Sequence, residues 1–173
     1  MKITGKGIKN NVHDDESPRL FYGRPVPRTW IMVIDRKKAQ IFCKQAQDLV
    51  LLARAEPDED ERGPDLSVRE SSVPARMGQL RHEEEHFSIA LSRWLEELYM
   101  QDRFDRLVLV AAPQMLGHMR KNLHDGLHGK IIGEIAKDMT NLSVREIRRN
   151  LSNVVYFNDR ESGAERRKSA ISS

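Results

Sequence analysis

Residues 29–53 alternate short apolar runs with polar links, as successive β-strands do. Residues 29–35 (TWIMVID), 39–43 (AQIFC) and 49–53 (LVLLA) are rich in apolar, β-branched and aromatic side chains. The polar segments that separate them are only a few residues long. Runs of this length with such short links predict three antiparallel strands joined as a meander.

From residue 80 onward the apolar residues have the spacing of a helix rather than that of strands. Within residues 80–101 the apolar side chains recur three, four, seven, eight and eleven positions apart, and this spacing places them on one face of a helix. We therefore expect a helix over residues 80–101 whose apolar stripe packs against the sheet. The stripe consists of Phe87, Ala90, Leu91, Trp94, Leu95 and Leu98.

The segment RFDRLVLVAAP, residues 103–113, is the predicted centre of the fold. Its four consecutive apolar residues are bounded by charge on one side and by a turn of small residues on the other. This pattern suits a strand over about residues 106–111 that is buried on both faces. Arg103, Asp105 and Arg106 are interpreted as charges at the start of the strand rather than as catalytic groups.

The rest of the chain continues with alternating helices and strands. Proline at residue 113 suits the first turn of a helix that runs to about residue 123, residues 126–129 suit a turn, and residues 130–136 suit a fifth strand. Ser143 and Glu146 have the spacing of a capping box, which predicts a helix over about residues 144–151. The order βββαβαβα predicts a layered mixed-sheet α/β fold of about five strands, similar to the ribonuclease-H-like arrangement. The later strands are expected to be parallel, since they are joined through a crossover.

Composition divides the chain into a domain, a loop and two tails. Residues 1–28 are polar and predict a flexible basic arm, residues 29–157 a single α/β domain, and residues 158–173 a disordered basic tail. Residues 56–79 carry prolines, glycines and an acidic cluster. They predict a mobile loop, and a loop of this length within a compact domain is usually either functional or disordered.

The basic charge of the chain is concentrated at its two ends. The net charge is +3; residues 1–28 hold six Lys or Arg and three acidic residues, and residues 145–173 hold seven and four. Basic ends suit docking on nucleic acid or on a ribosomal surface, and they are also a common solubility feature. With the single cysteine, no apolar stretch long enough to span a membrane and no secretory signal, a cytoplasmic protein without membrane insertion is the simplest interpretation.

A possible metal motif lies at the start of the predicted helix. His82, Glu83 and His86 fit the H-E-x-x-H pattern, in which two histidines at i and i+4 bind zinc and the glutamate is a general base. Ile89 and Ser92 stand where the extended motif has glycine and histidine. Both histidines also lie about 120–160° from the centre of the apolar stripe. Zinc is therefore a weak alternative to a solvated helix start whose acids favour the helix dipole, and no cofactor is indicated.

Several segments together resemble a known bacterial family. They are TWIMVIDRKKAQIF, HEEEHFSIALSRWLEEL, RFDRLVLVAAPQMLGHMRKNL and AKDMTNL. They resemble the proteins described as host attachment proteins, "required for attachment to host cells", over about residues 29–151. That family is itself similar to the middle domain of archaeo-eukaryotic peptide-chain release factors and of the ribosome-rescue factor Pelota.

This resemblance implies where a functional site would lie. In the release factors a Gly-Gly-Gln loop precedes the long helix and helps water to attack the peptidyl-tRNA ester, whereas Pelota lacks the motif and works without ester hydrolysis. The corresponding place here reads Ala-Arg-Met-Gly-Gln, residues 75–79, with methionine in place of the first glycine. The implied catalytic residues are Gly78 and Gln79. The implied binding residues are Arg76, Met77 and Arg81.

Three functions remain open at the level of the sequence. The favoured one is a non-enzymatic, RNA-binding factor that associates with the ribosome or with tRNA, because methionine reaches the backbone angles of the missing glycine only at a cost. The second is peptidyl-tRNA ester hydrolysis through the loop ending at Gln79. The third is an indirect requirement for attachment to host cells. An exposed edge on the meander would also allow a homo-oligomer to form.

Overall fold

A six-stranded mixed sheet lies at the centre of this protein. The computed structural model describes residues 1–5, 20–21, 24–45, 48–57 and 73–155. The strands of the main sheet have the order β1-β6-β5-β4-β7-β8, and β2 and β3 form a separate pair. The strands are β1 Lys2–Thr4, β2 Leu20–Phe21, β3 Arg24–Pro25, β4 Thr29–Ile34, β5 Ala39–Gln45, β6 Asp48–Glu56, β7 Arg106–Ala111 and β8 Ile131–Ala136. The helices are α1 Val73–Met100, α2 Pro113–Asn122, α3 Asp125–His128 and α4 Val144–Leu151.

The predicted strand directions are confirmed. Strands β4, β5 and β6 form an antiparallel meander, while β7 pairs in parallel with β4 on one side and with β8 on the other. The carboxyl ends of β4, β7 and β8 therefore meet at one edge of the sheet. This edge positions the turn after β4, the start of α2 and the segment after β8 next to one another.

Strand β7 is buried on both faces, as its four apolar residues predict. Leu107 and Leu109 belong to the core cluster that contains the buried residues of α1 and α2. Val108 and Val110 point to the opposite face and belong to a second cluster with Ile147 of α4. The sheet is thus the middle layer of a mixed α/β fold, with α1, α2 and α3 on one side and α4 on the other.

Three predicted segments differ in the structure, and the first of them matters for the site. Helix α1 begins at Val73 rather than at residue 80, so residues 73–79 belong to a helix and not to a loop. Residues 2–4 of the predicted flexible arm form β1, which pairs with Arg54 to Glu56 of β6 and partly covers the edge of the meander. The predicted turn at residues 126–129 is mostly the short helix α3.

Other predicted segments lie outside the described residues. They include residues 6–19 of the arm, residues 58–72 of the loop and the tail at residues 158–173. Within the part of the chain that the structure describes, no helix is long and apolar enough to cross a membrane.

Candidate functional site

The beginning of α1 lies outside the hydrophobic core. None of residues 77–83 is buried, and Met77 and Leu80 expose 52% and 40% of their surface. Buried side chains begin at Glu84 and continue with Phe87 and Leu91, which face the sheet. We call residues 77–83 the exposed start of α1. They extend about 10 Å along the helix axis at about 1.5 Å per residue.

Gly78 and Gln79, the implied catalytic residues, lie within this helix. A Cβ atom added at Gly78 would meet nothing within 4 Å, so the space around it does not require glycine. The Gln79 side chain donates from Nε2 to Glu83 Oε1 at 3.3 Å, one turn further along α1. The loop expected at this place is therefore a regular helix turn, and Gln79 is held by its own helix.

The implied binding residues are grouped at the same end of α1. Arg76 lies in the first turn, and Met77 and Arg81 are four residues apart, so they share one exposed face. The first turn of α1 contains no acidic residue. Because the amino end of a helix carries partial positive charge, the exposed Arg81 adds to a field that attracts anions.

His82 and His86 are exposed on α1, as their helical positions predict. Their rings lie 4.4 Å apart between centroids and are tilted by 31°. Among the described residues, no group of three or more His, Cys, Asp or Glu side chains is arranged to hold a metal ion. Within the described residues the histidine pair thus has no third His, Cys, Asp or Glu ligand beside it.

Glu84, in the middle of the same motif, is buried rather than solvated. It is 4% exposed, and its Oε1 atom lies 2.5 Å from Nε of Arg36. Its Oε2 atom is buried and has no hydrogen-bond partner. The expectation of a fully solvated acidic helix start is therefore wrong at this position. Glu84 precedes Phe87 by three residues and Leu91 by seven, which places it on the buried stripe.

A cavity of about 350 Å³ lies next to Glu84. It sits at the edge where β4, β7 and β8 end, beside the first residues of α2. Its walls are residues 35–37 after β4, Glu84 of α1, Ala112, Gln114 and Met115 at the start of α2, and Asp138 after β8. Carboxyl edges of parallel strands are the usual place for ligand sites in α/β folds.

Hydrogen bonds fix the two aspartates of this cavity. Asp35 accepts from the backbone N–H groups of Lys37 and Lys38 at 2.6 and 2.8 Å. The hydroxyl of Thr140 lies 2.7 Å from Asp35 Oδ2 and 2.8 Å from Asp138 Oδ1. These contacts join the turn after β4 to the segment after β8, so Asp35 and Asp138 build the wall of the cavity.

This cavity is not among the sites predicted from the sequence, although its signals are present. Asp35 and Ala112 lie at the ends of predicted strands, and β8 is expected beside them. Glu84 belongs to the acidic helix start that was expected to be solvated, whereas its spacing from Phe87 and Leu91 places it on the buried stripe. Adjacent parallel strands bring their carboxyl ends together, so the strand order alone would have located the edge.

Comparison with known proteins places the chain in a family. Residues 28–151 match the model of bacterial archaeo-eukaryotic release factor family 12. No curated protein matches the sequence. An archaeal protein of known structure aligns with a TM-score of 0.39 and 13% identity over 73% of this chain and 37% of its own.

The archaeal translation termination factor aRF1 aligns with a TM-score of 0.41 and 12% identity, over 73% of this chain and 38% of its own. The chain therefore spans little more than a third of the length of either structure. The resemblance to host attachment proteins stays a prediction, whereas the family match covers most of the described domain. This chain belongs to bacterial archaeo-eukaryotic release factor family 12.

Proposed function

We propose that this chain is a non-enzymatic, release-factor-like domain that associates with the ribosome or with tRNA. The observation that carries the proposal is the exposed start of α1. There Met77, Leu80 and Arg81 face solvent, while the remainder of the helix is anchored in the core through Leu91 and Leu95. A rigid helix end with uncovered apolar and basic side chains suits contact with a partner.

The charge at this end of α1 favours a phosphate-bearing partner. The helix dipole and Arg81 act in the same direction, and the first turn holds no acid to cancel them. Of the acids that follow, Glu84 contacts Arg36 and Glu85 contacts Lys121 at 3.0 Å. Their negative charge is therefore partly balanced by side chains of the domain itself.

The helical course of residues 77–79 supports a non-enzymatic role over ester hydrolysis. A hydrolytic Gln79 would have to leave its contact with Glu83 and present its amide to an ester. A continuous helix restrains the backbone of Gly78 and Gln79 to α-helical angles. Gln79 can nevertheless be tested directly: Gln79→Ala should leave peptide release at the level of a reaction without the protein, as should the unaltered chain. Release that the unaltered chain stimulates and Gln79→Ala abolishes would establish the hydrolytic alternative.

Co-sedimentation with ribosomes, and binding to bulk tRNA, across a salt series tests the association. Binding through phosphates should weaken steeply between about 50 and 200 mM salt. Arg81→Glu should weaken binding severalfold, because it reverses a charge at the proposed contact. Arg93→Glu is the matched control, since Arg93 is also exposed but lies further along α1.

Two results would overturn this proposal. One is the absence of association with both ribosomes and tRNA even at the lowest salt concentration. The other is an equal loss of binding in Arg81→Glu and Arg93→Glu, which would indicate a response to net charge rather than to the exposed start of α1. An effect on attachment to host cells would, on this proposal, be an indirect consequence of a cytoplasmic role, and cell fractionation tests that location.

A further inference from the structure

The cavity beside Glu84 has a buried acceptor that the domain does not satisfy. Glu84 is 4% exposed and lines the cavity, yet its Oε2 atom has no hydrogen-bond partner. A buried charged oxygen without a donor is costly, and native structures usually provide one. Because Oε2 exposes less than 1 Å² of surface, a hydroxyl or amine group in the cavity would supply the missing donor after a small rotation of the Glu84 carboxylate.

Another wall of the cavity is a helix end without a side-chain cap. Ala112 is the N-cap of α2, and no side chain caps this helix. Pro113 follows it, and Gln114 and Met115 belong to the first turn, whose backbone N–H groups have no acceptor within the helix. Ala112, Gln114 and Met115 all line the cavity. This arrangement attracts an anionic group such as a phosphate.

The cavity is lined by charged side chains of both signs. Lys37 is exposed there and would assist an anion, whereas Arg36 contacts Glu84. Asp35 and Asp138 are negative, which sets a limit on the charge that the cavity accepts. Their contacts with Thr140 and with the turn amides occupy three of their four oxygens. A ligand with a single phosphate fits this balance better than a polyanion.

We infer that the cavity binds the ribose phosphate part of a mononucleotide or a free sugar phosphate, with its phosphate at the start of α2 and a sugar hydroxyl on Glu84. The same pair of contacts, a helix amino end for phosphate and an acidic side chain for ribose, holds nucleotides at the carboxyl edge of other α/β sheets. The volume of about 350 Å³ is within the usual range for small-molecule sites. This inference is independent of the proposed association with the ribosome or tRNA.

Two substitutions test the sugar contact at Glu84 and the phosphate contact at the start of α2 separately. Glu84→Gln removes the charged acceptor but keeps the shape of the side chain and an oxygen for Arg36. Ala112→Asp places a carboxylate at the N-cap of α2, where it competes with an anionic ligand for the same N–H groups. Glu85→Gln is the control, because Glu85 is the next residue and contacts Lys121 outside the cavity.

Isothermal titration of the full chain with AMP, ribose 5-phosphate, adenosine and inorganic phosphate tests the inference. Ribose 5-phosphate and AMP should bind saturably and more tightly than inorganic phosphate. Glu84→Gln should weaken binding of both by roughly tenfold or more, which is the expected effect of losing a hydrogen bond to a charged group. It should leave the affinity for inorganic phosphate unchanged. Ala112→Asp should weaken the binding of AMP, ribose 5-phosphate and inorganic phosphate, whereas Glu85→Gln should weaken the binding of none of them.

The relative affinities for AMP and ribose 5-phosphate distinguish a mononucleotide site from a site for a free sugar phosphate. Tighter binding of AMP indicates a mononucleotide, and equal binding indicates a sugar phosphate. Thermal melting checks that the variants are folded: Ala112→Asp adds a helix cap and should melt no lower than the unaltered chain, whereas Glu84→Gln loses the ion pair with Arg36 and should melt somewhat lower while still unfolding cooperatively. Absence of saturable binding by both AMP and ribose 5-phosphate, or binding that survives both substitutions in folded protein, overturns the inference.

Discussion

Arg28 and Asp105 join the starts of the two central parallel strands. Arg28 donates from its backbone N–H and from Nε to Asp105 Oδ2 at 2.7 and 3.1 Å, and a further guanidinium nitrogen lies 3.1 Å from Oδ1. The backbone N–H groups of Asp105 and Arg106 in turn donate to the Arg28 carbonyl. The residue interpreted from sequence as a strand-start charge thus fixes where β7 begins beside β4.

This contact makes the stability of the fold depend on pH. Hydrogen bonding from Arg28 lowers the pKa of Asp105. Because the pKa of Asp105 is lower in the folded state than in the unfolded state, the stabilisation is fully present above the unfolded-state pKa of about 3.9. It is lost as pH falls through the folded-state pKa. Asp105→Asn should therefore reduce the free energy of unfolding by about 1 kcal/mol near pH 7, a modest figure because water screens a pair of which each side chain is more than a third exposed.

Urea denaturation at neutral and acidic pH measures this effect. The difference between Asp105→Asn and the unaltered chain should shrink as pH falls below about 4, where Asp105 protonates first in the unfolded state, and should vanish once pH is below the lowered pKa of the folded state. Asp102→Asn is the control, since Asp102 also contacts Arg28 but its side chain is 88% exposed. A difference between the variants that stays constant down to strongly acidic pH would show that the Asp105 charge is not its source.

At the scale of elements, packing decides which parts of α1 the sequence could predict. The helix was recognised from residue 80 because Phe87, Leu91 and Leu95 form a buried stripe. Residues 73–79 show no such stripe in the sequence, residues 77–79 are not buried, and the proline and glycine of this segment favour a loop. Pro74 in the first turn was the available signal, because proline is favoured at helix starts. Strand β1 could not be predicted, since its three residues are exposed and form no pattern.

Because Gly78 lies in a helix, its replacement by alanine should stabilise the protein, which distinguishes a helix at this position from a loop. Alanine is favoured over glycine in a helix by about 0.5–1 kcal/mol, and the added Cβ has open space at this position. Gly78→Ala should therefore raise the free energy of unfolding by that amount and the melting temperature by roughly 1–4 °C. Calorimetry and urea denaturation measure both quantities.

Gly133 in β8 provides the contrasting substitution. A Cβ atom there would lie 2.3 Å from Cγ1 of Val154, so the segment after α4 would have to move. Gly133→Ala should lower the free energy of unfolding by about 1–3 kcal/mol, as overpacking usually does. Adding Val154→Ala should recover part of the loss. Destabilisation by Gly78→Ala would instead indicate that residue 78 leaves the helix in solution.

At the scale of the whole molecule, the two sides of the sheet are covered unequally. One face carries α1 and α2, which bury Phe87, Leu91, Leu95 and several further side chains. The other face is covered by α4, which has eight residues and buries Ile147 and Leu151. The capping box of Ser143 and Glu146, predicted from sequence, fixes where α4 starts but adds little buried surface. The smaller layer is therefore the one expected to open first.

Native-state hydrogen exchange should show this order of opening. Amides of α4 should exchange through a local opening with a lower free energy than amides of β7 or of residues 87–98 in α1, because α4 can separate without uncovering the larger core.

Ile147→Ala removes a fully buried side chain from the smaller layer. Such substitutions cost about 2–5 kcal/mol, and the lost contacts include those that hold α4 to the sheet. Exchange in α4 should therefore accelerate by one or more orders of magnitude. Leu95→Ala, on the other face, should accelerate exchange in β7 instead, since it lowers the free energy of global unfolding. Equal opening free energies for α4 and β7 in the unaltered chain would mean that both layers unfold as one cooperative unit, with the sheet transmitting the loss of either side.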